Sequence, residues 1–549
     1  MCVEWKIFLL ILFYLSENYN LYHLQFLKDL LDNKEPDNWW QEYKIFCNNI
    51  DKVDRSLFIE ALPVLLKKLE NNYSHRDLRI ALEAESKKRA SFGKEIYAKI
   101  LEAQNPYLYD TLTDVVCGLF QSDQKFAITK IKSLINDAEI SLSKIGIQSL
   151  AKIDMLAKTT PKAFINWIEK RFNDITNTQT LADSWPSIFF TVRIKRNALK
   201  NADIIIDRLS SVKTIGIQLE LIYFLDHNID LEKEMHLFEK YLPLLLQMDS
   251  EHKGAYNHLA YRLENVAKSN MDLVVGFLRD WVALDVKNAR NIELFSHLLN
   301  TLCDDFYSDF QKLYTNWLNE DNPNFHIAIF NMNGAKYMRD LSGLTVSENI
   351  LKEFSDYDIE YITYKIFAYV YNKDTSLSLV YSILEQKADN KEVVVFLADL
   401  FINHLIFNYY STIEFLNLKK KTANRKLKKI IKDIVEEGEN KYKAYSDLQM
   451  LKEFAPSERR LLHYDKIQSK KIKKSYKESE AKNPSFFNTL PTINYRTGKS
   501  IFAKFKGEYT EKITPALISH SGEMPRGEFI DPIGQKKERL LWQNYKRRQ

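Results

Sequence analysis

The side chains of this 549-residue chain best suited to chemistry are its cations, and they gather towards one end. Leu418 to Lys432 reads LKKKTANRKLKKIIK, with eight positive charges (Lys419, Lys420, Lys421, Arg425, Lys426, Lys428, Lys429 and Lys432) and no acid. On a helix its apolar positions face inward while the cations cover the outer surface. Such a surface can be a solvated face, a contact for the phosphates of DNA or RNA, or a contact for an acidic protein or lipid surface, because phosphate contacts need charge and little geometry. A second basic run, Lys466 to Lys482, extends it. Residues 411–549 carry 32 Lys and Arg against 17 Asp and Glu, whereas residues 1–410 carry 46 against 56. The overall charge of +5 therefore conceals an acidic body and a basic final quarter.

A second cluster lies further on. Ser519 to Gln535 (SHSGEMPRGEFIDPIGQ) places Glu523, Arg526, Glu528 and Asp531 among turn residues, and Arg539 and Trp542 follow on a short final helix. Ordered loops of this length tend to carry function. The segment reads as a docking element in which Phe529, Ile530 and Ile533 bury against the rest of the chain and the charged residues select a protein partner. It also reads as a cap over the last helices.

Enzymatic signatures are sparse. Tyr495 to Ser500 (YRTGKS) ends like a phosphate-binding loop, but Ile493 stands where that loop needs its first Gly, so the segment reads as an ordinary turn. Glu232 and His236 are four apart and read as a surface ion pair; no HExxH or second ligand cluster would complete a metal site. No metal and no cofactor is expected. The four Cys (Cys2, Cys47, Cys117 and Cys303) form no CxxC pair, which implies a reducing, cytoplasmic compartment. Ile7 to Leu15 is a nine-residue apolar run, too short to span a bilayer, and reads as a first helix buried against the next; no membrane insertion is expected.

The elements that must position these residues are helices. Apolar residues make up 45% and charged residues 28%, which excludes a disordered chain and a polytopic membrane protein. Gly (14) and Pro (13) are so few that Gly-rich nucleotide folds are excluded as well. Leu427, Ile430, Ile431 and Ile434 repeat at helical spacing, and breaks fall at Asn319 to Pro323 and Asp389 to Asn390. Helix starts recur near residues 254, 290, 326, 358 and 392, with two helical segments per interval. A polar-Trp-aliphatic tripeptide returns in register at Trp167, Trp281 and Trp317, which are expected to be buried between neighbouring helix pairs.

This period and the two-helix unit resemble HEAT and armadillo-type α-solenoids, at the level of architecture and without a signature sequence. The resemblance implies a curved helical scaffold binding a partner along one face, and no reaction. The expected fold is all-α, a solenoid of stacked antiparallel helix pairs: N-terminal helices over 1–53, repeats over 54–410, a basic helical segment over 411–483, and a docking or capping segment over 484–549. The last segment holds ten of the 27 Gly and Pro residues, and a small hairpin is expected where Lys506-Gly507 separates Ile501 to Phe505 from Tyr509 to Ile513. The expected function is a non-enzymatic scaffold or adaptor for a protein partner and, through the basic quarter, a nucleic acid. By architectural analogy it would be an accessory component of a bacterial multi-protein system such as antiphage defence. The alternative is a metal-dependent nuclease or hydrolase with its site in the last 66 residues.

Overall fold

Helices begin in this protein where a short polar side chain can take up the orphan N–H groups of the first turn. Asp123 accepts from Phe126 N at 3.1 Å, Asn270 from Leu273 N at 3.1 Å, Asn390 from Val393 N at 3.2 Å and Asn424 from Leu427 N at 2.9 Å. Ser355 and Asp358 form a reciprocal capping box. The Asn, Asp and Ser clusters that interrupt the apolar periodicity are thus helix starts.

The computed structural model describes residues 21–32, 39–68, 75–335, 338–447, 458–482, 504–505, 508–509, 525–527 and 531–547. The apolar run Ile7 to Leu15 and the YRTGKS segment lie outside them. The fold is all-α, with helices packed in neighbouring antiparallel pairs. The expected hairpin is present as a two-residue ladder: β1 (Lys504–Phe505) pairs antiparallel with β2 (Glu508–Tyr509), in the register Lys504↔Tyr509 and Phe505↔Glu508. Among the described residues no helix is long and apolar enough to cross a membrane. The chain divides into two compact units, Met1–Asp309 with Gly334–Arg339 and Phe310–Asn333 with Asp340–Gln549.

In the first unit one layer runs through α1 (His75–Lys88), α2 (Pro106–Ser122), α3 (Ile140–Lys152), α4 (Trp185–Ile194), α5 (Ile215–His227), α6 (Lys253–Ala267) and α7 (Ser296–Asp305), each packed on the next. The intervening helices, Gln124–Ile135, Lys162–Asn177 and Met271–Leu284 among them, form the second layer. The repeat can be read from its hydrogen bonds. Arg79 reaches Asp114 across 35 residues, Arg193 reaches Asn228 across 35, Lys240 reaches Asp207 across 33 and Arg262 reaches the Ile229 carbonyl across 33. Close approach of α1 and α2 needs Gly118, since a Cβ there would meet the Glu83 carbonyl and, at 2.6 Å, the Ser86 Cβ.

Trp281 is fully buried, its ring 5.0 Å from Phe295 and its Nε1–H donating to Tyr256 Oη at 3.0 Å. Trp317 in the second unit is 1% exposed, against Phe325. The expectation fails for Trp167, which is only half-buried. It lies flat on Phe164 under the Lys132 ammonium, because its position on Lys162–Asn177 is at the rim of the apolar stripe that Phe164, Ile168, Phe172 and Ile175 carry inward.

The second unit is built on α8 (Asp356–Tyr369), α9 (Lys373–Gln386) and α10 (Lys391–Leu400), which runs directly into a π-helical turn at Phe401–Ile406. Then come α11 (Ser411–Thr422), α12 (Arg425–Ser446), α13 (Glu458–Lys482) and α14 (Pro532–Gln543). α12 packs on α11 and on the π-turn, and α14 packs on α8.

Candidate functional site

The basic run is split by a break at Ala423 and Asn424, and its two halves become the end of α11 and the start of α12. Leu427, Ile431, Ile434 and Val435 are buried on the inner side of α12, which fixes the cations on the other. These cations fall into three groups. Lys419 is half-buried, its ammonium 5.2 Å from the Tyr381 ring centre and 5.5 Å from Phe415, and Lys420 is half-buried beside it. Lys426 pairs with Asp389 at 2.6 Å and Lys432 with Glu436 at 3.3 Å. Lys421, Arg425, Lys428 and Lys429 are exposed and have no ion-pair partner among the described residues. The helix period thus leaves four outward cations without a neutralising acid, where the sequence alone offered eight equivalent ones.

The second cluster is partly described. Glu523, Glu528, Phe529 and Ile530 lie outside the described residues. Asp531 caps α14, accepting from Gly534 N at 2.8 Å. The Arg526 guanidinium sits 4.2 Å from the ring centre of Tyr442, and that of Arg539 sits 4.2 Å from Tyr371. Trp542 is 8% exposed, within 4.7 Å of His404, 5.5 Å of Phe367 and 6.1 Å of Tyr364. Ile533, expected to bury, is 81% exposed. Because Asp531 starts the helix immediately before it, Ile533 falls in a first turn that projects into solvent, and the anchoring ring comes nine residues later at Trp542.

The side chain that receives this segment has no part in either basic run or in the loop cluster. Lys365 on α8 is 3% exposed, and its ammonium donates to the carbonyls of Trp542 (3.3 Å), Gln543 (2.7 Å) and Tyr545 (3.0 Å). These carbonyls lie at and just past the end of α14, where the helix dipole is negative, and that of Trp542 also accepts from Tyr545 N at 3.3 Å. Burial pulls the lysine pKa down to about 8, against the opposing attraction of Asp321. Arg547 continues the attachment, donating to Asp358 at 2.7 Å and to the Asn319 side chain at 2.9 Å while stacked on Tyr361. The sequence does carry a signal for it: Lys365 is the lone cation in the run YITYKIFAYV.

The π-turn brings Asn408 into line with the returning chain. Asn408 donates to the His404 carbonyl at 2.9 Å and accepts from Gly527 N at 2.8 Å. Beside it a cleft of about 210 Å3 opens between the π-turn and α12, lined by Ile402, Asn403, Ile406, Lys441 and Tyr442. It is smaller than the roughly 300–1,000 Å3 of sites that enclose organic ligands. Among the described residues no three His, Cys, Asp or Glu side chains converge as metal ligands. Glu232 and His236 are both exposed and do not pair, because Glu232 precedes the helix Met235–Tyr241 on which the four-residue spacing would have aligned them.

No family model matches this chain, and no curated protein matches it.

Proposed function

We propose that the protein is a non-enzymatic helical-repeat scaffold whose exposed α11–α12 cations hold the phosphate backbone of a nucleic acid while it works with a protein partner. The observation that carries this reading is the set Lys421, Arg425, Lys428 and Lys429, exposed on adjoining turns with no ion-pair partner among the described residues. A solvated face gains stability by pairing its charges; cations left unpaired form a surface at which counterions are released when a polyanion arrives. Backbone phosphates position such a ligand without reading its sequence. The protein partner is assigned to residues 484–549.

The test is fluorescence anisotropy of the full chain with labelled DNA and RNA at about 50 mM salt, where phosphate contacts are strongest. The variant Arg425→Glu/Lys428→Glu/Lys429→Glu should weaken binding to every sequence alike. On duplex DNA it should also flatten the salt dependence by roughly 0.9 for each phosphate that is no longer neutralised. A parent protein that binds neither nucleic acid at low salt removes this reading.

A further inference from the structure

A single exposed ring is ordinary, but several in a row on one surface mark a place of interaction. Among the described residues the second unit exposes four aromatic side chains, Phe330, Tyr357, Tyr371 and Tyr410, and three of these lie along one edge. Phe330, 43% exposed, meets Tyr371, 47% exposed, edge to face with ring centres 4.9 Å apart. Tyr371 stands in the link between α8 and α9, and Tyr410, 44% exposed, in the link between the π-turn and α11. The Lys373 ammonium ties the two links together, donating to Ser411 Oγ at 2.8 Å. Tyr410 in turn meets the half-buried Tyr442 of α12, centres 4.6 Å apart. The intervals from Phe330 to Tyr371, to Tyr410 and to Tyr442 are 41, 39 and 32 residues, near the length of a helix pair. Successive pairs therefore bring one ring each to the same edge.

Cations accompany the row. The Arg539 guanidinium lies 4.2 Å from the Tyr371 ring centre, and that of Arg526 lies 4.2 Å from Tyr442. Lys536 precedes Arg539 by three residues on α14 and so shares its side of the helix. It is exposed and has no ion-pair partner among the described residues. The acids nearby are engaged, Asp374 with Lys373 at 3.7 Å and Glu538 with His404 Nδ1 at 3.7 Å. A proline-rich peptide would need only the rings. Rings interleaved with cations suit a ligand that has flat faces and negative charge. Unpaired bases stack on aromatic side chains and on guanidinium planes whatever their identity, while the phosphates between them meet the cations. Bases inside a duplex are stacked on one another and closed to such rings.

We infer that this edge of the second unit stacks the bases of a single-stranded nucleic acid, with Phe330, Tyr371 and Tyr410 as its platforms. The inference rests on the reading that the protein holds a nucleic acid, and adds which form. The row is a contact of its own: α11 begins beside Tyr410 and is 12 residues, about 18 Å, long, so the α11–α12 cations lie at its other end.

The experiment measures anisotropy of the full chain with labelled oligo(dT) of about 20 nucleotides, a DNA duplex of the same length and a labelled decaproline peptide. The variant Tyr371→Ala/Tyr410→Ala should lose at least about 10-fold in oligo(dT) affinity, with its salt slope kept and duplex binding changed by less than about 2-fold. The variant Tyr371→Phe/Tyr410→Phe restores the rings and should recover most of the loss. If the Ala pair binds oligo(dT) like the parent, or if the parent binds duplex alone, the inference falls and the α12 reading stands. Equal losses on duplex and oligo(dT) would make the rings structural, and a loss confined to decaproline would make the edge a peptide site; either overturns the inference. If the Ala pair loses oligo(dT) while Arg425→Glu/Lys428→Glu/Lys429→Glu loses nothing, the row stands and the α12 reading falls. A parent that binds neither nucleic acid removes both.

Discussion

The most deeply buried charge of each unit is neutralised in an opposite way. In the first unit it is Asp114 on α2, fully buried, with Arg79 of α1 at 2.8 Å and Lys152 of α3 as its second partner. The partners stand 35 and 38 residues away, one helix pair to either side. In the second unit the buried charge is Lys365, and its ligands are three uncharged carbonyls 177 to 180 residues along the chain. A buried charge costs several kcal/mol unless it is paired and hydrogen-bonded. Inside a repeat, opposite charges on the next helices are within reach. For a chain end that returns from far away, the negative end of a helix serves the same purpose, and it also fixes where that helix must stop.

If the first unit is held by local packing alone, damage to it should remain local. Trp281→Ala removes a fully buried ring and leaves the Tyr256 hydroxyl without its donor, and should cost about 3–5 kcal/mol. Trp167→Ala, at the rim, should cost less than about 1 kcal/mol. Chemical denaturation of both variants checks the contrast, and hydrogen exchange over 532–545 should be unchanged in each; equal losses would mean that the repeat register is misread.

The second unit should respond to acid in a way that sharpens the comparison. His326 is 2% exposed and its Nε2–H donates to the Leu318 carbonyl at 3.1 Å, so burial, assisted by nearby Lys365, holds its pKa down at about 4. An unfolded histidine titrates near 6.5, and the unfolded state therefore binds the extra proton first. The stability this confers is complete above about pH 6.5 and is lost as pH falls towards 4, by up to about 3 kcal/mol. Unfolding of the parent and of His326→Phe between pH 7 and 4.5 measures it. A parent curve as flat as the variant's would show that the imidazole is not held neutral.

A smaller effect than these two falls on the junction itself. Lys365→Met keeps the bulk of the side chain but removes the ammonium that donates to the carbonyls of Trp542, Gln543 and Tyr545, at a cost of about 2 kcal/mol. Hydrogen-exchange protection of α14 should drop while α1 to α3 keep theirs. If α14 stays protected, Trp542 and Arg547 suffice to hold it and the cap adds little.

Much of this protein follows from local pattern. Of the helix starts expected near 254, 290, 326, 358 and 392, four are found at Lys253, Pro323, Asp356 and Lys391, because caps and apolar periodicity act within a few residues of one another, whereas 290 falls at the end of the short helix Val286–Arg290 that Asp285 caps. The burial of Trp281 and Trp317, the pairing of β1 with β2 and the outward set of cations on α12 have the same origin. Trp167 shows the limit of this: its tripeptide matches the others, yet a small rotation about the helix axis separates core from rim, and only the neighbouring layer fixes that rotation. Lys365 shows it more plainly. A lone cation in an apolar run is detectable in the sequence, but its partners are backbone carbonyls, which every residue carries and no sequence marks. Likewise, nothing in the spacing of Tyr442 and Arg526 says that the chain returns to where it left. The amino-acid sequence determined the helices, their period and the placement of charge, because those depend on interactions between near neighbours. Which carbonyls a buried ammonium would meet, and where the last helix would be held, were decided only when distant segments packed together.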